Sequence, residues 1–167
     1  MNLESQIGDV KMENNSLLNL KVIVFELQNE EYALPVEHVG AIERIQPITR
    51  VPETAEFVKG VINLRGVIIP IIDLRLRFGL KEAELTDDNR IIIVTLKDFE
   101  VGLVVDAAND VIDIPKDSIE PPPEVIGSVD IDYIEGVAKL DNRLFVLLDL
   151  EKVLTTEQKD MFSKLEG

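Results

Sequence analysis

The chain has 167 residues, of which 46% are hydrophobic and 29% charged, and its formal net charge is −15. That balance argues against nucleic acid and anionic lipid as partners, because both need clustered Lys and Arg. It leaves an acidic surface that solubilises the chain or steers a basic partner patch. Without cysteine there is no disulfide, zinc thiolate or cysteine nucleophile, which fits a reducing compartment.

Residues 1–18 are polar and aperiodic and are expected to form a mobile arm. They show no charged-then-apolar signal pattern. A strand is predicted from about Leu20 to Leu27, turning at Asn29-Glu30-Glu31 into a second from Tyr32 to Val36. Pro35 inside that second strand suggests an edge or a bulge, since proline cannot donate to a ladder. A short strand over Ala41 to Ile45 precedes a loop with Pro47 and Pro52. Val61 to Leu64 and Val67 to Ile72 then make a hairpin whose turn, Arg65-Gly66, uses glycine for the positive φ that tight turns need. Runs such as Val67 to Ile72 are strand-length and far too short to span a bilayer. Asp73 is an expected N-cap for a helical turn ending at Gly79. Asp87-Asp88-Asn89 reads as a turn between halves. Thr155-Thr156 caps a final amphipathic helix carrying Met161, Phe162 and Leu165.

The second half repeats the first. Phe57-Val58-Lys59-Gly60-Val61 lines up with Tyr133-Ile134-Glu135-Gly136-Val137, and Ile71-Ile72-Asp73-Leu74 with Leu147-Leu148-Asp149-Leu150, at a constant offset of 76 residues. Upstream, Val24 to Leu27, Leu34, Val36 and Ile42 fall on Ile93 to Leu96, Leu103, Val105 and Val111 at an offset of 69. The longer connection in the second copy holds Pro121-Pro122-Pro123. Asp141-Asn142 replaces Arg65-Gly66 at the turn, and Asn also tolerates the left-handed region. A repeat is one structural unit used twice. A unit of about 70 residues is marginal alone, so the copies are expected to pack together. The chain is therefore expected to be mainly β: two pseudo-symmetric, five-stranded small closed barrels at about 19–86 and 87–154, followed by a C-terminal helix over 155–166.

Reactive constellations are scarce. The single histidine, His38, has no His/Cys cluster for a metal and no nearby Ser for a triad. No Gly-rich phosphate loop is visible. No metal and no cofactor are expected. Asp73 and Asp149 are either a carboxylate pair for acid/base work or two copies of one helix cap. Arg65 is a turn-tip cation where the other copy has Asp141. It is either an exposed turn residue or a contact to a partner's carboxylates, for which a guanidinium is suited. Val39, Ile42, Ala108 and Val111 lie near matched strand ends and are either core or the lining of a groove between barrels that takes an apolar partner helix.

The run from Phe57 to Arg75, FVKGVINLRGVIIPIIDLR, resembles the signature of the CheW family of chemotaxis coupling proteins. Val101 to Asp106, Asp110-Val111 and Glu120-Pro121-Pro122-Pro123 resemble the same family. The likeness extends from about residue 19 to 160. It implies two SH3-like barrels in a non-enzymatic, cytoplasmic adaptor that is recruited to membrane receptor clusters. Such an adaptor bridges chemoreceptors to the histidine kinase CheA, or serves a related, non-flagellar motility pathway. It further implies receptor contacts at Val39, Ile42, Arg65, Gly102, Ala108 and Val111. Kinase contacts are expected at Ile48, Gly60 and Gly66. Ala108 is smaller than the valine often found there in the family, and Ala41 replaces a residue that is polar in some members.

Overall fold

The computed structural model describes residues 18–96, 99–122, 131–155, 158–159 and 162. Of the expected N-terminal arm only Leu18 falls among them, and most of the expected C-terminal helix lies outside them. The strands are β1 (Asn19–Leu27), β2 (Glu30–Pro35), β3 (Val39–Arg44), β4 (Val58–Leu64), β5 (Val67–Asp73), β6 (Arg90–Leu96), β7 (Phe99–Val105), β8 (Ala107–Pro115), β9 (Ile119–Glu120), β10 (Ile134–Leu140) and β11 (Arg143–Leu148). One-turn helices α1 (Leu74–Arg77) and α2 (Leu150–Val153) follow β5 and β11.

These strands form two sheets, one in the order β8-β1-β2-β11-β10-β9 and the other in the order β3-β6-β7-β5-β4. The duplication is visible in both. Under the repeat, β1 corresponds to β6, β2 to β7, β3 to β8, β4 to β10 and β5 to β11, so the two orders are one order written twice. The registers agree to the residue. Ile23 faces Val111 as Ile92 faces Ile42, and each ladder carries its bulge at the same place, Val24/Phe25 and Val39/Ala41.

Each sheet, however, draws strands from both copies. A cut near residue 86 separates the repeats in sequence and not the sheets in space, which corrects the expected division into 19–86 and 87–154. The short links dictate the exchange. In each sheet a first strand is flanked by its own copy's second strand and by the other copy's third strand, both antiparallel to it and hence parallel to each other. Returning a copy's own third strand to the same sheet would need a crossover of about a dozen residues or more. Only Asp106 separates β7 from β8, and only Val36–His38 separates β2 from β3. The chain therefore runs straight on into the other sheet.

The strands alternate between two cores. Val22, Val24, Ala33, Ile114, Ala138, Phe145 and Leu147 pack inside the six-stranded sheet. Ala41, Ile62, Ile69, Ile71, Ile91, Ile93 and Val104 pack inside the five-stranded one. Each inner cluster joins residues of strands far apart in the sheet order, so each sheet curls over its own cluster. The opposite faces, including Ile23, Phe25, Leu27, Tyr32, Ile92, Val94, Val101 and Leu103, meet in a larger central cluster that forms the seam.

The expected closed barrel is not formed by hydrogen bonding. The sheets end at β8 and β9, and at β3 and β4. The outer edge of β4 is instead taken by Thr49, whose N–H and C=O pair with Val61 at 2.8 Å each. The equivalent edge of β10 is taken by β9, with Glu120 opposite Val137. Pro35 lies in an inner strand, unlike the expected edge, at the last residue of β2 where its pairing with β11 has already ended.

The turns satisfy one backbone demand with different residues. Arg65 and Gly66 have φ of 53° and 88°, and Asp141 and Asn142 of 50° and 65°. At the start of the final helix, the Thr155 hydroxyl accepts from the Gln158 N–H (3.2 Å) while the Gln158 side chain accepts from the Thr155 N–H (3.0 Å), a reciprocal cap. Phe162 is buried in the seam, edge-on to Phe99.

Candidate functional site

The paired aspartates resolve as caps. Asp73 Oδ1 accepts from the Arg75 N–H at 2.9 Å, and Asp149 Oδ1 from the Glu151 N–H at 3.1 Å. Their own N–H groups donate to Phe57 and Tyr133, which are also copy-equivalents. Burial pushes the Asp73 carboxyl above its usual range, opposed by the backbone N–H groups of Leu76 and Arg75. Each carboxylate is thus engaged at its own helical turn, which is no arrangement for acid/base chemistry between them. His38 is half exposed, 3.7 Å from Glu37, and no group of three or more metal-ligating side chains exists among the described residues.

Four of the expected receptor-contact residues form two symmetric pairs. Val39 and Ile42 lie on β3, Ala108 and Val111 on β8, and the offset of 69 carries one pair onto the other. Both strands end their sheets. Val39 is buried in the central cluster, with Ile42 and Val111 packed against it and only partly covered. Ala108 faces Phe25 across the ladder and is also partly covered. The four therefore border the seam on two end strands whose outer ladder groups have no strand partner among the described residues. Gly102 stands apart from them. It is buried in β7, and a Cβ there would come 2.5 Å from Ile71 and 2.7 Å from Ile91. It makes room for packing inside the five-stranded sheet and presents no surface to a partner.

The other expected contacts cluster on the β4–β5 hairpin. Gly60, with φ of 141°, lets the Thr49 segment approach. A Cβ at Gly60 would come 2.1 Å from the Thr49 carbonyl oxygen and 2.9 Å from the Ile48 side chain. Ile48 packs, partly covered, on the inner cluster of that sheet. Gly66 is exposed at the tip, and its N–H donates to Asn63 Oδ1 at 2.9 Å. Arg65 beside it has a side chain 73% exposed, with Nη2 3.6 Å from Glu43 Oε1.

Sequence reasoning passed over several residues here. Val67 and Ile68 follow the turn and are both large, apolar and exposed, so apolar area lies open next to Arg65 on the two faces of the strand. Their signal was the position after the turn, where a strand has outrun the body of its sheet. Arg75 was also missed. Its Nε and Nη2 grip both oxygens of Asp106 at 2.7 and 2.6 Å. Asp106 in turn accepts the Gln28 N–H and donates its own N–H to Glu26, so this fork ties α1 to the β1–β2 turn of the other sheet. Burial pushes the Asp106 carboxyl up, but Arg75 and the Gln28 N–H outweigh it and hold the carboxyl below its usual range. Arg77 sits between the copies. Its guanidinium lies over Phe57 at 4.9 Å and over that residue's counterpart Tyr133 at 4.7 Å. Its Nε donates to the carbonyl of Val153, which is the counterpart of Arg77 itself.

The fold is a duplicated β scaffold whose sheets end at the matching strands β3 and β8. Comparison with known proteins gives it a family. Residues 21–158 match the model of the CheW-like domain, and the chain belongs to the CheW family. It is 47% identical over 137 residues to the chemotaxis protein CheW of Bacillus subtilis, covering 82% of this chain and 88% of that one. It is 37% identical over 153 residues to the CheW of Helicobacter pylori, covering 90% of each. The crystal structure of the scaffolding protein TtCheW from Thermoanaerobacter tengcongensis superimposes with a TM-score of 0.75 at 43% identity, over 79% of this chain and 90% of that one.

Proposed function

We propose that this chain is a non-enzymatic adaptor that couples transmembrane chemoreceptors to the histidine kinase CheA. It acts by holding both partners and shifting their populations, without making or breaking bonds. The observation that carries this reading is the pair of end strands bordering one apolar seam, with the partly covered Ile42 on one, backed by the buried Val39, and the partly covered Ala108 and Val111 on the other. A receptor tip, being helical, would lay its apolar face along that border. The regulatory domain of CheA would meet the β4–β5 hairpin, where Ile48, Gly60 and Gly66 set the shape and Val67 and Ile68 supply apolar area. Two features support the absence of catalysis: the aspartates act as caps, and family relatives are named as chemotaxis and scaffolding proteins. The proposed location is the cytoplasmic face of receptor clusters. No described helix is long and apolar enough to cross a membrane. The test is binding of the full chain to a CheA regulatory domain and to a receptor signalling-tip fragment, measured separately. Micromolar or tighter binding to both is expected; binding to neither overturns the proposal.

A further inference from the structure

The two copies differ at one point that packing alone does not explain. On β3, Glu43 faces Ile91; on β8 its counterpart is Ile112, facing Val22. Ile112 packs on the inner apolar cluster of its sheet, whereas Glu43 places a carboxylate at the equivalent position. Only 16% of the Glu43 side chain is exposed, and Oε1 is shut from solvent without a hydrogen-bond partner. A buried acceptor in that state costs stability, and an apolar residue of similar size would not. A cation that reaches it is Arg65, at the turn tip. Its Nη2 is 3.6 Å from the same oxygen, close enough to attract and too far for a hydrogen bond. The counterpart of Arg65 is Asp141, so the other copy lacks both members of the pair.

We propose that Glu43 is a positioning residue for Arg65, and that the pair closes only when a partner covers the hairpin tip. The inference rests on the docking role given above to that tip. In the free chain, water competes for an exposed guanidinium, and a loose ion pair contributes little. A partner whose apolar surface lies on Val67 and Ile68 excludes that water. The attraction between the guanidinium and the orphan oxygen then strengthens, and the fork is drawn in and fixed. The Arg65 side chain is 73% exposed, leaving donors free for a partner, so the fitting partner offers an apolar patch beside a carboxylate or carbonyl oxygen. Because the pair is confined to one copy, it selects the five-stranded end of the scaffold over the six-stranded end.

The test is a double-mutant cycle on the full chain with Glu43→Ile, Arg65→Ala and the double variant. Each is measured for its thermal midpoint and for affinity toward a CheA regulatory domain and a receptor signalling-tip fragment. Glu43→Ile should hold or raise the midpoint while weakening binding of the CheA regulatory domain, the partner proposed for this hairpin, roughly tenfold; loss of the receptor tip alone would overturn the inference. The double variant should bind no worse than Arg65→Ala. Glu43→Gln, which keeps the shape and loses the charge, should weaken the same probe. A fall in midpoint for Glu43→Ile like that of a core cavity would overturn the inference, as would single effects on affinity that add in the double variant. Those outcomes, with wild-type binding intact, reject only the Glu43 role. Wild-type failure to bind either probe rejects the docking reading and this inference together.

Discussion

The two hairpin tips share a backbone and differ in chemistry. Both turn through paired positive φ values, at Arg65-Gly66 and at Asp141-Asn142. At the second tip the nearby cation, Arg143, is spent on the fold: it grips both oxygens of Glu31 at 3.0 and 3.1 Å and lies over the Phe145 ring at 4.8 Å. At the first tip Arg65 reaches only a 3.6 Å approach to Glu43, and Val67 and Ile68 lie open beside it. Duplication supplied one shape twice. Divergence then tied the cation of one tip to the fold and left that of the other exposed, while Leu144, the counterpart of Ile68, stays open at the second tip.

The largest expected break in that comparison is at the glycines beneath the tips. Gly60→Ala must place its Cβ 2.1 Å from the Thr49 carbonyl at a φ that L residues avoid, whereas at Gly136 the nearest approach is 2.9 Å, to Glu120. Gly60→Ala should cost about 3 kcal/mol or more and Gly136→Ala clearly less, read as urea midpoints at constant slope. Equal costs would mean that the two edge segments are interchangeable.

Next is the residue between the copies. Arg77→Ala loses contacts to two rings and a charged hydrogen bond, about 2 kcal/mol in total. Arg77→Lys should recover little, because an ammonium cannot stack on both rings as a planar guanidinium does. Calorimetric unfolding should remain one transition, since the seam is shared; separate melting of two sheets would argue against it.

Asp106→Asn is smaller, about 1–2 kcal/mol at neutral pH, since the Arg75 fork is partly exposed. The sign of its pH dependence follows from the lowered carboxyl. Its contribution is complete above the unfolded value, near 4, and is lost as pH falls through the folded value. Wild type and Asp106→Asn should therefore differ at pH 7 and converge in acid.

Much of this molecule was legible in its sequence. The repeat offsets gave the equivalent registers, because a residue's alternation on a strand repeats with its copy. Asp73 and Asp149 were readable as caps because a carboxylate before a helical turn has few other uses in that pattern. The exchange of strands between sheets was harder. β3 and β8 carry the same inward and outward pattern, so periodicity cannot say which sheet either joins. The signal lay in link length, where Asp106 alone cannot carry a crossover. Barrel closure was over-read because turn spacing does not reveal that Thr49 occupies the outer edge of β4. Within the site, Ile42 and Val111 occupy matching, partly covered positions on two end strands, with Val39 buried behind them. Gly102 proved to be internal, because a small residue in a strand is equally a packing concession and a docking gap. Glu43 escaped notice because an acidic residue in an acidic chain draws no attention until its burial is known.

The most direct measurement compares Arg65→Asp with Arg143→Asp, each followed by thermal melting and by titration against a CheA regulatory domain and a receptor signalling-tip fragment. The expected result is a crossed pattern. Arg65→Asp should keep its melting temperature and lose affinity roughly tenfold or more for the CheA regulatory domain. Arg143→Asp should melt lower and, while folded, bind as the wild type does. The opposite pattern, or Arg65→Asp losing stability while keeping its partners, would contradict the assignment of the open tip to docking and the fastened tip to the fold.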